Sequence, residues 1–151
     1  MRARTLDDIE DVRRTVTKVR RLSDRLIGVG PFGIGIDGLS GFIPGLGLAY
    51  SLGAGAILMN QAVKARAHPT ILAKMAAMLL ADSAIDVLPL PVLPGLADVL
   101  FTGHRWAAEA LLKHLDETHY YPGDRAAAAA DPRFQAFVKG RPGRVVHLGE
   151  D

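Results

Sequence analysis

The chain has 151 residues, 49% of them apolar, a formal net charge of +2 and no cysteine. That length suits one domain with a core of its own, and the average apolar content excludes a polytopic membrane protein built from the whole chain. The small net charge leaves no electrostatic footprint for nucleic acid, and the lack of cysteine excludes disulfides and thiolate chemistry.

Residues 5 to 27 predict an amphipathic helix. Asp7, Asp8, Glu10 and Asp11 stand in its first turns and Arg20, Arg21 and Arg25 near its end, which complements the helix dipole. Leu6, Ile9, Val12, Val16, Val19, Leu22 and Leu26 recur at three and four and predict one apolar stripe. Charges of both signs and no apolar run before Leu26 argue against a signal peptide.

From Gly28 to Gly103 the only charged residues are Asp37, Lys64, Arg66, Lys74, Asp82, Asp86 and Asp98. The stretch GVGPFGIG lacks the Gly-Lys-Ser/Thr ending of a phosphate-binding loop and follows a helix, so it reads as a break. Gly38 to Val63 is free of charge and long enough to cross a bilayer as a straight helix, but Pro44-Gly45 interrupts it. The expected pieces are a short segment ending near Ile43, a helix from about Leu46 to Arg66, a turn at His68-Pro69-Thr70, and a helix to about Leu88. PLPVLPG stops that helix, and another is expected from about Leu96 to Glu117. The tail beyond holds an Ala-rich segment suited to a short helix and a Gly- and Pro-punctuated end expected to be mobile. No run alternates with period two, so strands are not expected.

The core contains an echo. IDGLSGFIPGLG at 36–47 returns in part as IDVLPLPVLPGLA at 85–97: an acid, an apolar run, then Pro-Gly-Leu. Asp37, Gly41, Pro44, Gly45, Asp82, Asp86, Pro94, Gly95 and Asp98 are therefore the structural or interaction candidates. Acids and broken helices in apolar surroundings need partners, and two such units packed together would satisfy each other. Gly41-x-x-x-Gly45 adds a small-residue row that permits close backbone approach.

No catalytic set emerges. His114 and His119 are five apart, a poor spacing for one helical face, and no HExxH or GxSxG occurs. Asp82 and Asp86 share a helix face, a pair that suits a polar seam better than acid–base work. Trp106, Tyr120 and Tyr121 suit either an interfacial belt or the core.

The residues GIDGLSGFIPGLG, the LAKM at 72–75, Asp82 and the later Pro-rich break with Ala97-Asp98 resemble a bacterial family known as domain of unknown function 4112. The resemblance spans residues 20 to 115 and implies a small helical, membrane-associated domain without an established activity. The family places an acid directly after the Gly of each break, where this chain has Leu48 after Gly47 and Leu96 after Gly95; Asp37, Asp82 and Asp98 are the positions that carry over.

The resulting expectation is an all-α chain: a charged amphipathic helix (1–27), an apolar core of two broken-helix hairpins (28–117) and a tail (118–151). It leans to a non-enzymatic protein without cofactor or metal. Its expected place is the bacterial inner membrane with cytoplasmic termini. Its expected partners are lipid and, through the apolar Gly-rich helices, a second copy or another protein. The alternative is a soluble all-α binding or oligomerisation module.

Overall fold

The structure is a computed structural model and describes residues 2–27, 46–87, 102–139 and 143–149. The chain is mostly helical, as expected. Four long helices lead: α1 (Leu6–Ile27), α2 (Leu46–Lys64), α3 (Pro69–Val87) and α4 (Thr102–Glu117). Strand β1 (Thr118–Tyr121) continues directly from α4, and the short helices α5 (Arg125–Ala130) and α6 (Pro132–Val138) precede strand β2 (Arg144–His147).

Local sequence sets the helix ends. The backbone N–H of Asp8 donates to Thr5 Oγ1 at 3.1 Å, and Asp8 Oδ2 accepts from the N–H groups of Thr5 and Arg4. This reciprocal cap satisfies amides that the first turn of α1 leaves open. Those two N–H groups are also the leading cause that holds the Asp8 carboxyl below the usual carboxylate range. α2 ends where Arg66 turns into the left-handed region at φ 54°, and Pro69 starts α3 in the position where its missing N–H costs nothing. Asp124 and Asp131 cap α5 and α6, accepting from Ala127 N–H and Arg133 N–H.

The helices run up, down, up and down. The four-residue connection 65–68 makes α2 and α3 antiparallel neighbours. Ala3 N–H donates to the Lys64 carbonyl, and Lys64 approaches Asp8, so α1 begins where α2 ends. Arg13 pairs with Asp116, while Arg105 approaches Asp24 and Arg20 approaches Glu109; α1 and α4 are antiparallel over their lengths. Around the bundle the neighbours are α1–α2, α2–α3, α3–α4 and α4–α1, with α2 also touching α4 across the middle. Val12, Val16, Leu58, Met75 and Leu111 are fully buried where the helices meet.

Two expectations are corrected. The apolar stripe of α1 is narrower than its periodicity suggests: Ile9, Val12 and Val16 are buried, but Leu6 and Leu22 are exposed at 50% and 47% and Ser23 is buried instead. At 100° per residue Leu6 and Leu22 fall about 80–120° from Val12, whereas Ser23 falls about 20° away. Its hydroxyl donates back to the Val19 carbonyl, so no polar group is stranded. The second correction concerns strands. β1 and β2 pair in parallel, with Thr118 opposite Arg144 and Tyr121 opposite His147. Thr118 and Tyr120 face the bundle; His119 meets the Phe137 ring, and Tyr121 meets the Phe134 and Phe137 rings.

Two glycines give opposite expectations. A Cβ at Gly149 would come within 2.7 Å of the Gly123 carbonyl carbon and 2.8 Å of Asp124 N, so Gly149→Ala forces backbone apart and should cost about 1–3 kcal/mol. A Cβ at Gly53, inside α2, meets nothing within 4 Å, so Gly53→Ala should stabilise by about 0.5–1 kcal/mol through backbone entropy. Urea midpoints of the two variants, moving in opposite directions from the parent, check both.

Candidate functional site

Antiparallel packing gives the bundle two unlike poles. At one, the α1 start, the 65–68 connection and the α4 end meet the tail. At the other, α1 ends, α2 begins, α3 ends and α4 begins. The two segments that carry the echoed motif, 28–45 and 88–101, both leave from and return to this second pole. Each has a single charged residue, Asp37 in the first and Asp98 in the second.

Of the candidate residues, Asp37, Gly41, Pro44, Gly45, Pro94, Gly95 and Asp98 lie outside the described residues. Asp82 and Asp86 belong to the last turns of α3, at the same pole. The topology thus brings Asp82, Asp86 and the helix ends that flank the other seven positions to one end of the bundle.

The described surface near that pole is apolar. Leu52 on α2, Leu80 on α3, Leu22 on α1 and Trp106 on α4 are exposed at 57%, 69%, 47% and 51%. Each stands within about 11 Å of its helix end at this pole, at 1.5 Å per residue. Among the other exposed large apolar side chains, Ile57 is midway along α2, and Leu6 and Val63 lie at the opposite pole. Trp106 is thus an exposed side chain, while Tyr120 is core: its hydroxyl donates to the Ala65 carbonyl at 3.0 Å, and burial raises its pKa to about 12. Between α2 and α3 runs an apolar groove of about 270 Å³ lined by Leu52, Gly55, Ala56, Met59, Ala76, Leu79 and Leu80. It offers no charged group, so it can bind only by apolar contact. The sequence reading missed this groove because α2 and α3 are apolar nearly all round, which hides the outward face.

The opposite pole is a polar clasp, also missed from sequence. Arg66 donates to the carbonyls of His147 (2.9 Å) and Leu148 (3.3 Å), and Arg144 donates to the Arg66 carbonyl at 2.7 Å. The tail and the 65–68 connection thereby hold each other. His114 sits beneath them, 8% exposed; its Nε2 accepts from His68 N–H at 3.3 Å and lies 3.4 Å from the Arg144 guanidinium. With donors on Nε2, the proton belongs on Nδ1. Burial first, then Arg144 and His68, hold the His114 pKa below the usual histidine range; Glu117 opposes them weakly.

That shift fixes a sign. The unfolded histidine takes a proton near pH 6.5, before the folded one does, so the contribution of His114 is complete above that pH and is lost as pH falls through the folded pKa. Stability should therefore decline from pH 7 toward pH 5, and His114→Gln should make that decline shallower. Urea midpoints across the range check this; equal slopes in parent and variant would contradict it.

Chemistry at either pole is limited. Among the described residues no cluster of three or more His, Asp or Glu could hold a metal, and no helix is long and apolar enough to cross a membrane. The expectation of a transmembrane helix thus has no described helix to rest on: α2 and α3 are apolar, but each buries one face against charged partner helices.

The fold defines a small all-α protein, a four-helix bundle with one apolar and one polar pole. The family described as Domain of unknown function (DUF4112) matches residues 12–115, and the chain belongs to that family. The match runs from within α1 to the end of α4, so it takes in all four bundle helices and both echoed segments and leaves the tail outside. No curated protein and no solved structure matched the chain.

Proposed function

We propose that this is a non-enzymatic, membrane-associated helical module that docks its apolar pole onto the bilayer, at the cytoplasmic face of the bacterial inner membrane, and serves a structural or assembly role there. The observation that carries this reading is the polarity of the bundle. Leu22, Leu52, Leu80 and Trp106 are exposed near the pole from which both nearly charge-free segments depart. Exposed apolar surface gathered at one end marks an interaction site. Docking end-on suits helices that bury one face within the bundle, since only the pole enters the interface. The two Pro-Gly units are proposed to act as a structural pair there, with the acids Asp37 and Asp86 satisfied within the pair and not by lipid.

A second reading is favoured by the α2–α3 groove, which would equally fit an apolar helix of another copy or a protein partner. Cell fractionation separates the two. The membrane reading predicts recovery with membranes at low ionic strength. Recovery in the soluble fraction alone would overturn it in favour of the soluble module.

A further inference from the structure

We infer that the membrane face of this protein selects anionic lipid, and that Lys18 and Arg21 on α1 are the selecting residues; this rests on the docking of the apolar pole proposed above. Both side chains are exposed, and among the described residues neither has an ion-pair partner. Among the described side chains the neighbouring cations Arg20, Arg105 and Arg14 are committed: Arg20 approaches Asp24 and Glu109, Arg105 approaches the same two acids, and Arg14 pairs with Asp11. Lys18 and Arg21 are one turn apart on one face, and Leu22 follows them on that face, 47% exposed.

Their level along the bundle matters as much as their charge. Arg21 stands about 9 Å and Lys18 about 13 Å from the α1 end at the apolar pole, at 1.5 Å per residue. Leu22 and Trp106 stand about 6–8 Å from the same pole on neighbouring helices. Interfacial elements sink about 5–10 Å into the boundary between headgroups and acyl chains. Leu22 and Trp106 thus lie nearer this pole than Arg21 and Lys18, the order in which an apolar tip and its flanking cations meet a bilayer. An indole suits that boundary, with an apolar body and one N–H donor. Of the acids near this pole, Asp24 and Glu109 are each approached by Arg20 and Arg105, while Asp82 and Asp86 stand on α3, across the bundle from α1.

Trp106 is the chain's only tryptophan, so its emission reports docking without a label. The full chain is titrated with vesicles of phosphatidylcholine alone and of an equimolar mixture with phosphatidylglycerol. The expected result is a blue shift with both, at far lower lipid concentration with the mixture. Lys18→Gln with Arg21→Gln should weaken binding to the mixture roughly 30-fold, leave binding to phosphatidylcholine unchanged, and keep the fold, since both residues are exposed. The exchange Lys18→Arg with Arg21→Lys should preserve the preference. Equal binding of the parent to both vesicle types would overturn the anionic selection and leave the docking reading standing. No shift with either vesicle would overturn both.

Discussion

Truncation after Lys139 should leave the helical circular dichroism of the bundle largely intact and remove about 3–5 kcal/mol of stability. The removed piece holds Leu148, 1% exposed, and Val146, also buried. Burial of a leucine-sized side chain is worth about 1.5–3 kcal/mol, and a made hydrogen bond about 1 kcal/mol net. The truncated chain also loses the Arg144 donation to Arg66 and strands the Arg66 guanidinium, which now donates to two carbonyls of the tail. β1 would keep its link to α4 but lose its only described partner strand. Urea unfolding followed at 222 nm measures the effect. An unchanged midpoint would show that the tail adds nothing to the bundle; loss of all helical signal would show that the bundle cannot stand without it.

Leu111→Ala should cost about 2–5 kcal/mol, the range for emptying a leucine site in a packed core. Leu111 is fully buried in the middle of α4, the helix that packs on both α1 and α3. Leu80→Ala is the matched control. It removes the same atoms from a side chain 69% exposed, so its effect should stay within about 0.5 kcal/mol. Equal losses in the two variants would mean that α3 and α4 do not bury the faces described.

Much of the bundle was legible in the sequence because helices advertise themselves locally. The acids and bases at the two ends of α1, Pro69 at the start of α3 and the uncharged course of α2 each act over a few residues. The helical tail segments were legible in part: the alanines of 126–130 announced α5, but α6 depends on Asp131 and Pro132, a cap and a start that lie within the turn-like composition of the tail. The parallel pair was not legible. THYY and RVVH are four residues each, too short to show a period of two, and they are joined across two helices, so nothing local ties one to the other. The clasp was hidden for the same reason, since Arg66 and His147 are 81 positions apart. The apolar pole was half legible. The echo drew attention to two segments that lie outside the described residues, and only the up-down topology brings their flanking helix ends together. Which residues of α2 and α3 face outward could not be read from helices with so little amphipathic character.

The central claim is that the bundle meets a bilayer with one pole and leaves the other in water. The absence of cysteine allows a clean test by single spin labels at Leu52, Leu80, Trp106 and, at the opposite pole, Gln135. Collision with oxygen and with a water-soluble nickel complex is measured on the full chain bound to vesicles of mixed phosphatidylcholine and phosphatidylglycerol. Labels at 52, 80 and 106 should gain oxygen accessibility and lose nickel accessibility on binding, while the label at 135 stays in water. Equal accessibility at all four positions, or protection at 135 instead of at 52 and 80, would contradict the assignment of the apolar pole to the membrane.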